Sequence, residues 1–578
     1  MRLAYSAIVK VVTLGKMRIT EFPPHPNPLP VGREAVSSPE GAAPPSLWEG
    51  LREGKFCLKP RRYLSNFNSG VTTVDSHRFL IPASLLLFTL VVVFYTRHAQ
   101  AAPANPNRQL LNQPVSVLTS TNTISFNWIY SGDQQGVEMG YSVATAGNVN
   151  GDNYEDIIIG APKYEVSGNK NGAAFVFYGS AAGVKSVPDL TLYGSLKGSR
   201  FGTAAASAGD VNGDGYDDVI VGAPRYNADQ SEECQVYVYY GSAGLNKTPE
   251  PDWVITGTQT SIQLGYSVSG AGDVNNDGFA DVIIGAPFYD TDIYTDTGAA
   301  AGAAYVYLGS EDGLASEPVW VATGPQSGAE FGYSVSGAGD VNNDGFTDVI
   351  VGAPFYNTDV FTDGGAAAGA AYVYLGFEGG LASEPVWVAT GAQSGAEFGY
   401  SVSGAGKVNS DNYGDVVIGA PYTAVDYSNE GAAYLYYGMF GGVEASAGWS
   451  MLGGQDSARF GAAVGSASDF DQDGFDEIII GAPGFDNDQY LEGAIVIYNL
   501  GAGTSARAEG NKAETLFGAS VATAGDINND ACADIIVGAP EYRIETKIQG
   551  QAFVYYGKIS VFEAGHSVYL PVVIKGAY

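Results

Sequence analysis

Cysteine is nearly absent. The 578-residue chain holds three, Cys57, Cys234 and Cys532, far apart in sequence, which excludes a disulfide framework. Histidine is as scarce: of His25, His77, His98 and His566, three precede residue 102. No Cys/His metal cluster, Ser-His-Asp set or phosphate loop can be assembled from what remains. Positive charge is the third shortage. Lys and Arg number 28 against 62 Asp and Glu, and from residue 102 onward 16 against 56. A nucleic-acid surface needs cations to neutralise phosphates, so that partner is excluded. Long apolar runs are missing too, with one exception at residues 79–95.

That exception organises the N-terminal part. Residues 1–76 have scattered Pro, Gly and Arg and no apolar period, which predicts a disordered leader, or sequence upstream of the true start. Arg78 precedes the apolar run, and Ala99-Gln100-Ala101 follows with the small-residue spacing of a signal peptidase site. Residues 77–101 therefore read as a secretory signal, and the protein as secreted or displayed at the cell surface. An uncleaved anchor is the alternative, since 17 apolar residues is at the short end for a span. It would be the one membrane contact. Residues 102–123 read as a linker.

Glycine is what the chain has in abundance, with 78 residues, alongside 37 Tyr. This suits an all-β chain rich in turns. In residues 338–354, Asp340, Asn342 and Asp344 alternate with other residues, Gly345 permits a tight turn, and Asp348 leads into an apolar run. Alternate oxygens, with the Phe346 carbonyl, can surround a hard cation such as calcium at about 2.3–2.6 Å. An EF-hand would need Glu at the twelfth position, where this chain has Val351. The β-branched run argues for a strand instead.

The pattern recurs seven times. An apolar-Gly pair (Met139-Gly140, Phe201-Gly202, Leu264-Gly265, Phe331-Gly332, Phe398-Gly399, Phe460-Gly461, Phe517-Gly518) precedes each loop. A strand ending in Gly-Ala-Pro follows, and the first loop positions are 148, 210, 273, 340, 407, 469 and 526. A third strand and a fourth, often bearing Trp, complete each unit. Trp253, Trp320, Trp387 and Trp449 read as outer-strand packing rather than a sugar platform. Seven units of four short strands predict a seven-bladed β-propeller over residues 124–558. Residues 124–130 would complete the last blade and close the ring. Residues 559–578 read as a strand-like tail.

Five loops carry full sets. They are Asp210, Asn212, Asp214, Tyr216, Asp218; Asp273, Asn275, Asp277, Phe279, Asp281; Asp340, Asn342, Asp344, Phe346, Asp348; Asp469, Asp471, Asp473, Phe475, Glu477; and Asp526, Asn528, Asp530, Cys532, Asp534. The aromatic or Cys residue in each set offers its carbonyl. In the last, Ala531 replaces the glycine, which weakens it if a left-handed turn is required. The first loop, Asn148, Asn150, Asp152, Tyr154 and Asp156, keeps two carboxylates and should be weak. The fifth begins with Lys407, whose ammonium could replace the ion and pair with Asp411 and Asp415. The expectation is about five good calcium sites, one weak and one empty. The competing readings are Asx-rich turns without metal and catalytic carboxylate pairs; sevenfold repetition argues against catalysis.

Phe-Gly, acidic loop and Gly-Ala-Pro in this order resemble the FG-GAP repeat of the integrin α-subunit propeller, over about three-quarters of the chain. The overall plan is similar to secreted bacterial-type FG-GAP proteins. The resemblance implies structural calcium on one face and partner contacts mostly on the other. The longest loops there hold Asp290, Asp292, Tyr294, Asp296, Asp359, Phe361 and Asp363, candidates to contact a protein or glycan ligand. The expected function is an adhesion-like binding module, not an enzyme. A propeller scaffold with hydrolase or lyase activity, or a structural envelope component, are the alternatives.

Overall fold

The computed structural model describes residues 116–117, 122–225, 234–259, 261–290, 300–357 and 367–558. The leader, the signal, the tail, and candidates Asp292, Tyr294, Asp296, Asp359, Phe361 and Asp363 lie outside them. Among the described residues there is no helix, and no helix long and apolar enough to cross a membrane.

Seven antiparallel four-stranded blades form a β-propeller. Blade four is representative, with strands Ser334–Gly339, Asp348–Ala353, Ala370–Tyr374 and Trp387–Thr390. The second strand is buried along its whole length in every blade, which explains its unbroken apolar run. A bulge in each first strand, between Gly337 and Gly339 in blade four, aims the chain into the acidic loop.

The Phe-Gly and Gly-Ala-Pro signatures meet in space. Within a blade, the Phe-Gly amide donates to the Gly-Ala-Pro glycine carbonyl, as Gly332 to Gly352 at 3.0 Å. Between blades, the same Gly352 faces the Phe-Gly carbonyl of the next: a Cβ on it would lie 2.0 Å from the Gly399 oxygen. All seven Gly-Ala-Pro glycines make this approach, the last of them, Gly538, to Gly140. Ring closure therefore repeats the ordinary blade contact. Ser520 Oγ donates to the Gly140 carbonyl at 2.9 Å, as Ser267 Oγ does to Gly332 and Ser401 Oγ to Gly461. The expected N-terminal closure is present: Trp128–Ser131 pairs antiparallel with Gln551–Tyr555 as the outer strand of blade seven.

The outer-strand tryptophans wedge the blades apart. Trp320 stands 4.8 Å from Tyr374 of the next blade, Trp387 4.8 Å from Tyr436, and Trp253 5.2 Å from Tyr307. Trp449 meets Tyr498 and Trp128 meets Phe177 in the same way. Their packing reaches across blades, not only within one. Four of the indole N–H groups donate to a backbone carbonyl of the next blade. The fifth, on Trp449, is buried without a partner. Blade six has a tight turn, from Asn499 to Thr504, where the others carry the receiving loop.

The segment read as a linker does more than connect. Ser116–Val117 pairs parallel with Met451 and Leu452 on blade five, and Asn122–Thr123 with Ala506 and Arg507 on blade six. These are edges that would otherwise be unpaired. Two-residue pairings leave no alternating pattern to read. Cys234 and Cys532 are buried free thiols.

Candidate metal loops and ligand face

Each acidic loop is wired by its own side chains. In blade four, Asp340 accepts the amides of Asp344 (3.0 Å) and Gly345 (2.9 Å). Asn342 accepts from Asp344, and Asp344 from Phe346. The Asx turns of the competing reading are thus present, and they converge side-chain oxygens on one space. Gly345 sits at φ 94°, the left-handed conformation the turn needs.

The last carboxylate is different in kind. Asp348 is fully buried at the base of the hairpin, and its two oxygens accept the amides of Val341 and Gly376, both at 2.8 Å. Asp156, Asp218, Asp281, Asp415 and Asp534 repeat this clamp. Burial pushes the Asp348 carboxyl up to about 7 against the pull of those two amides, with Asp344 and Asp340 adding to the rise. A carboxylate oxygen that accepts one amide keeps a lone pair for a cation.

Blade six carries the clearest metal geometry. Oxygens of Asp469, Asp471 and Glu477 lie within 4.8 Å of one another. Among the described residues this is the one such acidic group. Glu477 Oε2 accepts the Phe470 amide at 2.8 Å, but Oε1 is buried with no partner. Burial, then Asp471, pushes this carboxyl up to about 9. In blade seven, Asn528 Oδ1 is orphaned in the same way. Hard oxygen donors, clustered negative charge and buried unpartnered oxygens fit a divalent cation.

The degenerate loops show how much the wiring depends on the first residue. Ala531 takes φ 71° in place of the glycine, and its amide still donates to Asp526 at 2.8 Å. In blade one, Asn148 accepts from Gly151 and Asp152. In blade five, Lys407 has no carboxylate to accept these bonds; the Asp411 amide donates to Asn409 alone, and the Asp411 carboxylate accepts the Tyr413 amide. The expected pairing of Lys407 with Asp411 and Asp415 is not formed. Lys407 is exposed, and the carboxylate its charge steadies is Asp476, which also accepts its amide at 2.6 Å. Asp415 is already occupied by the Val408 and Gly438 amides.

The seven loops are also joined to one another. The carbonyl of each first residue accepts an amide from the next blade: Asn148 from Asp217, Asp210 from Ala280, Asp273 from Thr347 and Asp340 from Gly414. Lys407 accepts from Asp476, Asp469 from Ala533, and Asp526 from Glu155 across the closure. The circle uses backbone only, so the lysine does not interrupt it.

The sequence profile of the FG-GAP repeat matches residues 139–177, 201–239, 264–307, 331–374, 460–498 and 517–555. This is an FG-GAP propeller of integrin α-like type. The unmatched blade is the fifth, which carries Lys407. Curated relatives include integrin alpha-3 of Cricetulus griseus, 33% identical over 227 residues, or 38% of this chain and 20% of the relative. Integrin alpha-8 of Homo sapiens is 33% identical over 229 residues, 37% of this chain and 19% of the relative. Integrin alpha-IIb of Mus musculus is 34% identical over 166 residues, 28% of this chain and 15% of the relative. The matches span about a fifth of the relatives' length or less.

The opposite face of the propeller holds a cluster that sequence reasoning missed. Directly after four of the Phe-Gly glycines come Tyr141, Tyr266, Tyr333 and Tyr400. Tyr333 stands between the other two central rings, 4.9 Å from Tyr266 and 5.1 Å from Tyr400, and hydrogen-bonds to both. Burial raises all four phenols. A cavity of about 270 Å³ opens beside Tyr141 and Tyr400, with Arg459 and Leu516 in its wall. The residue preceding each apolar-Gly pair is left-handed in all seven blades: Glu138, Arg200, Gln263, Glu330, Glu397, Arg459 and Leu516. The readable signal was a Tyr at a fixed offset, overlooked beside the louder acidic loops. Of the candidates on the long loops, only Asp290 is described, and its carbonyl accepts Gln259 Nε2 at 3.3 Å.

Glu330 and Glu397 make this face sensitive to pH. Burial raises both carboxyls to about 7, and Glu397 adds to the rise at Glu330. The unfolded groups ionise near 4.5, so the folded state holds more protons between about 4.5 and 7. Stability from these groups is greatest below the unfolded value and falls as pH rises through 7. Thermal melts at saturating calcium should therefore show wild-type stability falling from pH 5 to pH 8. The Glu330→Gln, Glu397→Gln double variant should fall less. Parallel profiles for the two proteins would refute it.

Proposed function

We propose that this protein is a secreted or cell-surface binding module, adhesion-like and without catalytic activity. Its calcium would be structural, held by the acidic loops of blades two, three, four, six and seven, with blade one weak and blade five empty. Its partner is a protein that docks on the Phe-Gly face. The observation that carries this reading is the tyrosine cluster at the centre of that face, with half-buried Glu330 and Glu397 beside it. Aromatic anchors in a partly desolvated setting are what binding surfaces concentrate. The integrin alpha relatives support an adhesion role. Residues of the loops at 290–296 and 359–363 would extend the same surface.

The acidic loops supply stiffness rather than chemistry. When bound, the cation would neutralise a buried carboxylate at the base of each hairpin and draw the loop oxygens together. The test is an array of extracellular proteins probed with the full chain, with and without calcium. Hits should weaken at least tenfold in the Tyr333→Ala, Tyr400→Ala variant. A hit list unaffected by that variant would move the site off this face.

A further inference from the structure

The rim between blades one and two breaks the rule that governs the other joints. Five blades place a tryptophan where the outer strand meets the next blade: Trp128, Trp253, Trp320, Trp387 and Trp449. Blade six has Ala506 there, paired with Ile497, and the N-terminal segment covers the gap. Asn122 pairs with Ala506, and Ile124 packs into the adjoining core. Blade one has Leu190, paired with Val176 in the register that holds Trp320 against Val306. No indole is therefore seated against Tyr239, the counterpart of Tyr307 and Tyr374.

A second departure lies directly opposite. In blade two, seven residues separate Leu245 from Trp253, whereas five separate Leu314 from Trp320 and Leu381 from Trp387. The longer link, with Pro249 and Pro251, lies along the edge of blade one: the Thr191 amide donates to the Lys247 carbonyl at 2.8 Å. Between that edge and the longer, proline-stiffened link lies a cavity of about 430 Å³. Tyr193, Ser195, Gln235, Tyr237, Tyr239 and Glu250 are among its lining.

The chemistry of that lining is selective. No lysine or arginine contributes to it, and Glu250 is its single carboxylate. It is therefore built for neither an anion nor a metal ion. Its polar groups are already oriented. Ser195 Oγ and the Tyr237 hydroxyl lie 2.9 Å apart, the Tyr237 hydroxyl donates to Gln235 Oε1 at 2.5 Å, and Gln235 Nε2 donates to Thr256 Oγ1 at 3.1 Å. Tyr193 adds a ring that is 39% exposed. A polyhydroxylated ring presents apolar C–H faces and hydroxyls that both donate and accept. It matches aromatic surface beside neutral hydroxyls and amides. Pockets for small ligands run from about 300 to 1,000 Å³.

We propose that this rim cavity binds a neutral saccharide of one or two pyranose rings. It lies at the outer edge of blades one and two, away from the tyrosines at the centre of the Phe-Gly face, and does not depend on the protein-binding reading given above. Saturation-transfer NMR on the full chain, with glucose, galactose, mannose, N-acetylglucosamine and their β-linked disaccharides, tests it. At least one of these sugars should receive saturation. Val254→Trp, which enlarges an exposed side chain of the cavity lining, should reduce its affinity at least tenfold. Tyr193→Ala, a half-exposed side chain whose loss leaves the core intact, should do the same, and Tyr333→Ala should leave it unchanged. Absence of transfer to every neutral sugar overturns the proposal. So does equal transfer in Val254→Trp and Tyr193→Ala, or saturable binding of a proline-rich peptide in place of any sugar.

Discussion

Replacing Gly352 with alanine is expected to destabilise the ring by about 3 kcal/mol. The added Cβ would lie 2.0 Å from the Gly399 carbonyl of the next blade, and backbone stands on both sides of the contact. Neither partner can rotate away. Separating the blades would instead pull apart the Trp387 and Tyr436 rings and the bond from the Trp387 indole to the Glu444 carbonyl at 2.8 Å. Close packing leaves no slack to absorb the shift. Gly244→Ala is the control: nothing lies within 4 Å of its Cβ, and its cost should stay within about 0.5 kcal/mol. Urea titration of both variants measures the difference, and similar midpoints would mean that the Gly-Ala-Pro glycine is not what sets the blade spacing.

Calcium should have the second large effect. The chelator-treated chain should melt at a lower temperature than the calcium-saturated one. One site at a hundredfold excess over its Kd contributes about 2.7 kcal/mol. An unchanged melting temperature would return the loops to Asx turns without metal. Glu477→Gln sharpens the test because its two effects have opposite signs. Without calcium it removes a carboxyl that must take up a proton to stay buried beside Asp469 and Asp471, so the variant should be the more stable protein. With calcium it removes a ligand charge, so the variant should gain less than wild type. A calcium-induced gain equal to that of wild type would show that Glu477 does not face the ion.

The fold was legible because repetition multiplies a weak signal. One acidic loop fits several structures; seven at a near-constant period, each between an apolar-Gly pair and Gly-Ala-Pro, fit a ring of blades. The closing strand was legible for the same reason, since Trp128 occupies the outer-strand position of the other units. What sequence could not supply was the meaning of contacts between units. Gly-Ala-Pro marked where each strand ends without saying what it faces, and the neighbour is the Phe-Gly carbonyl one blade on. Lys407 suggested an ion pair inside its own loop, but the buried Asp415 was already held by two amides, one of them, Gly438, contributed from outside the motif. Residues 116–123 suggested a spacer, because two-residue parallel pairings carry no period. Tyr141, Tyr266, Tyr333 and Tyr400 were visible as letters, yet their convergence exists only once the ring is closed.

The route of the N-terminal segment decides how the propeller bears load. A pull on the chain upstream of Ser116 does not reach the closing strand first. It meets the two-residue attachment on blade five, then the one on blade six, and only then Trp128–Ser131. Tension from that end is shed in stages, with the weakest grips yielding earliest. The seam that keeps the ring shut is loaded last.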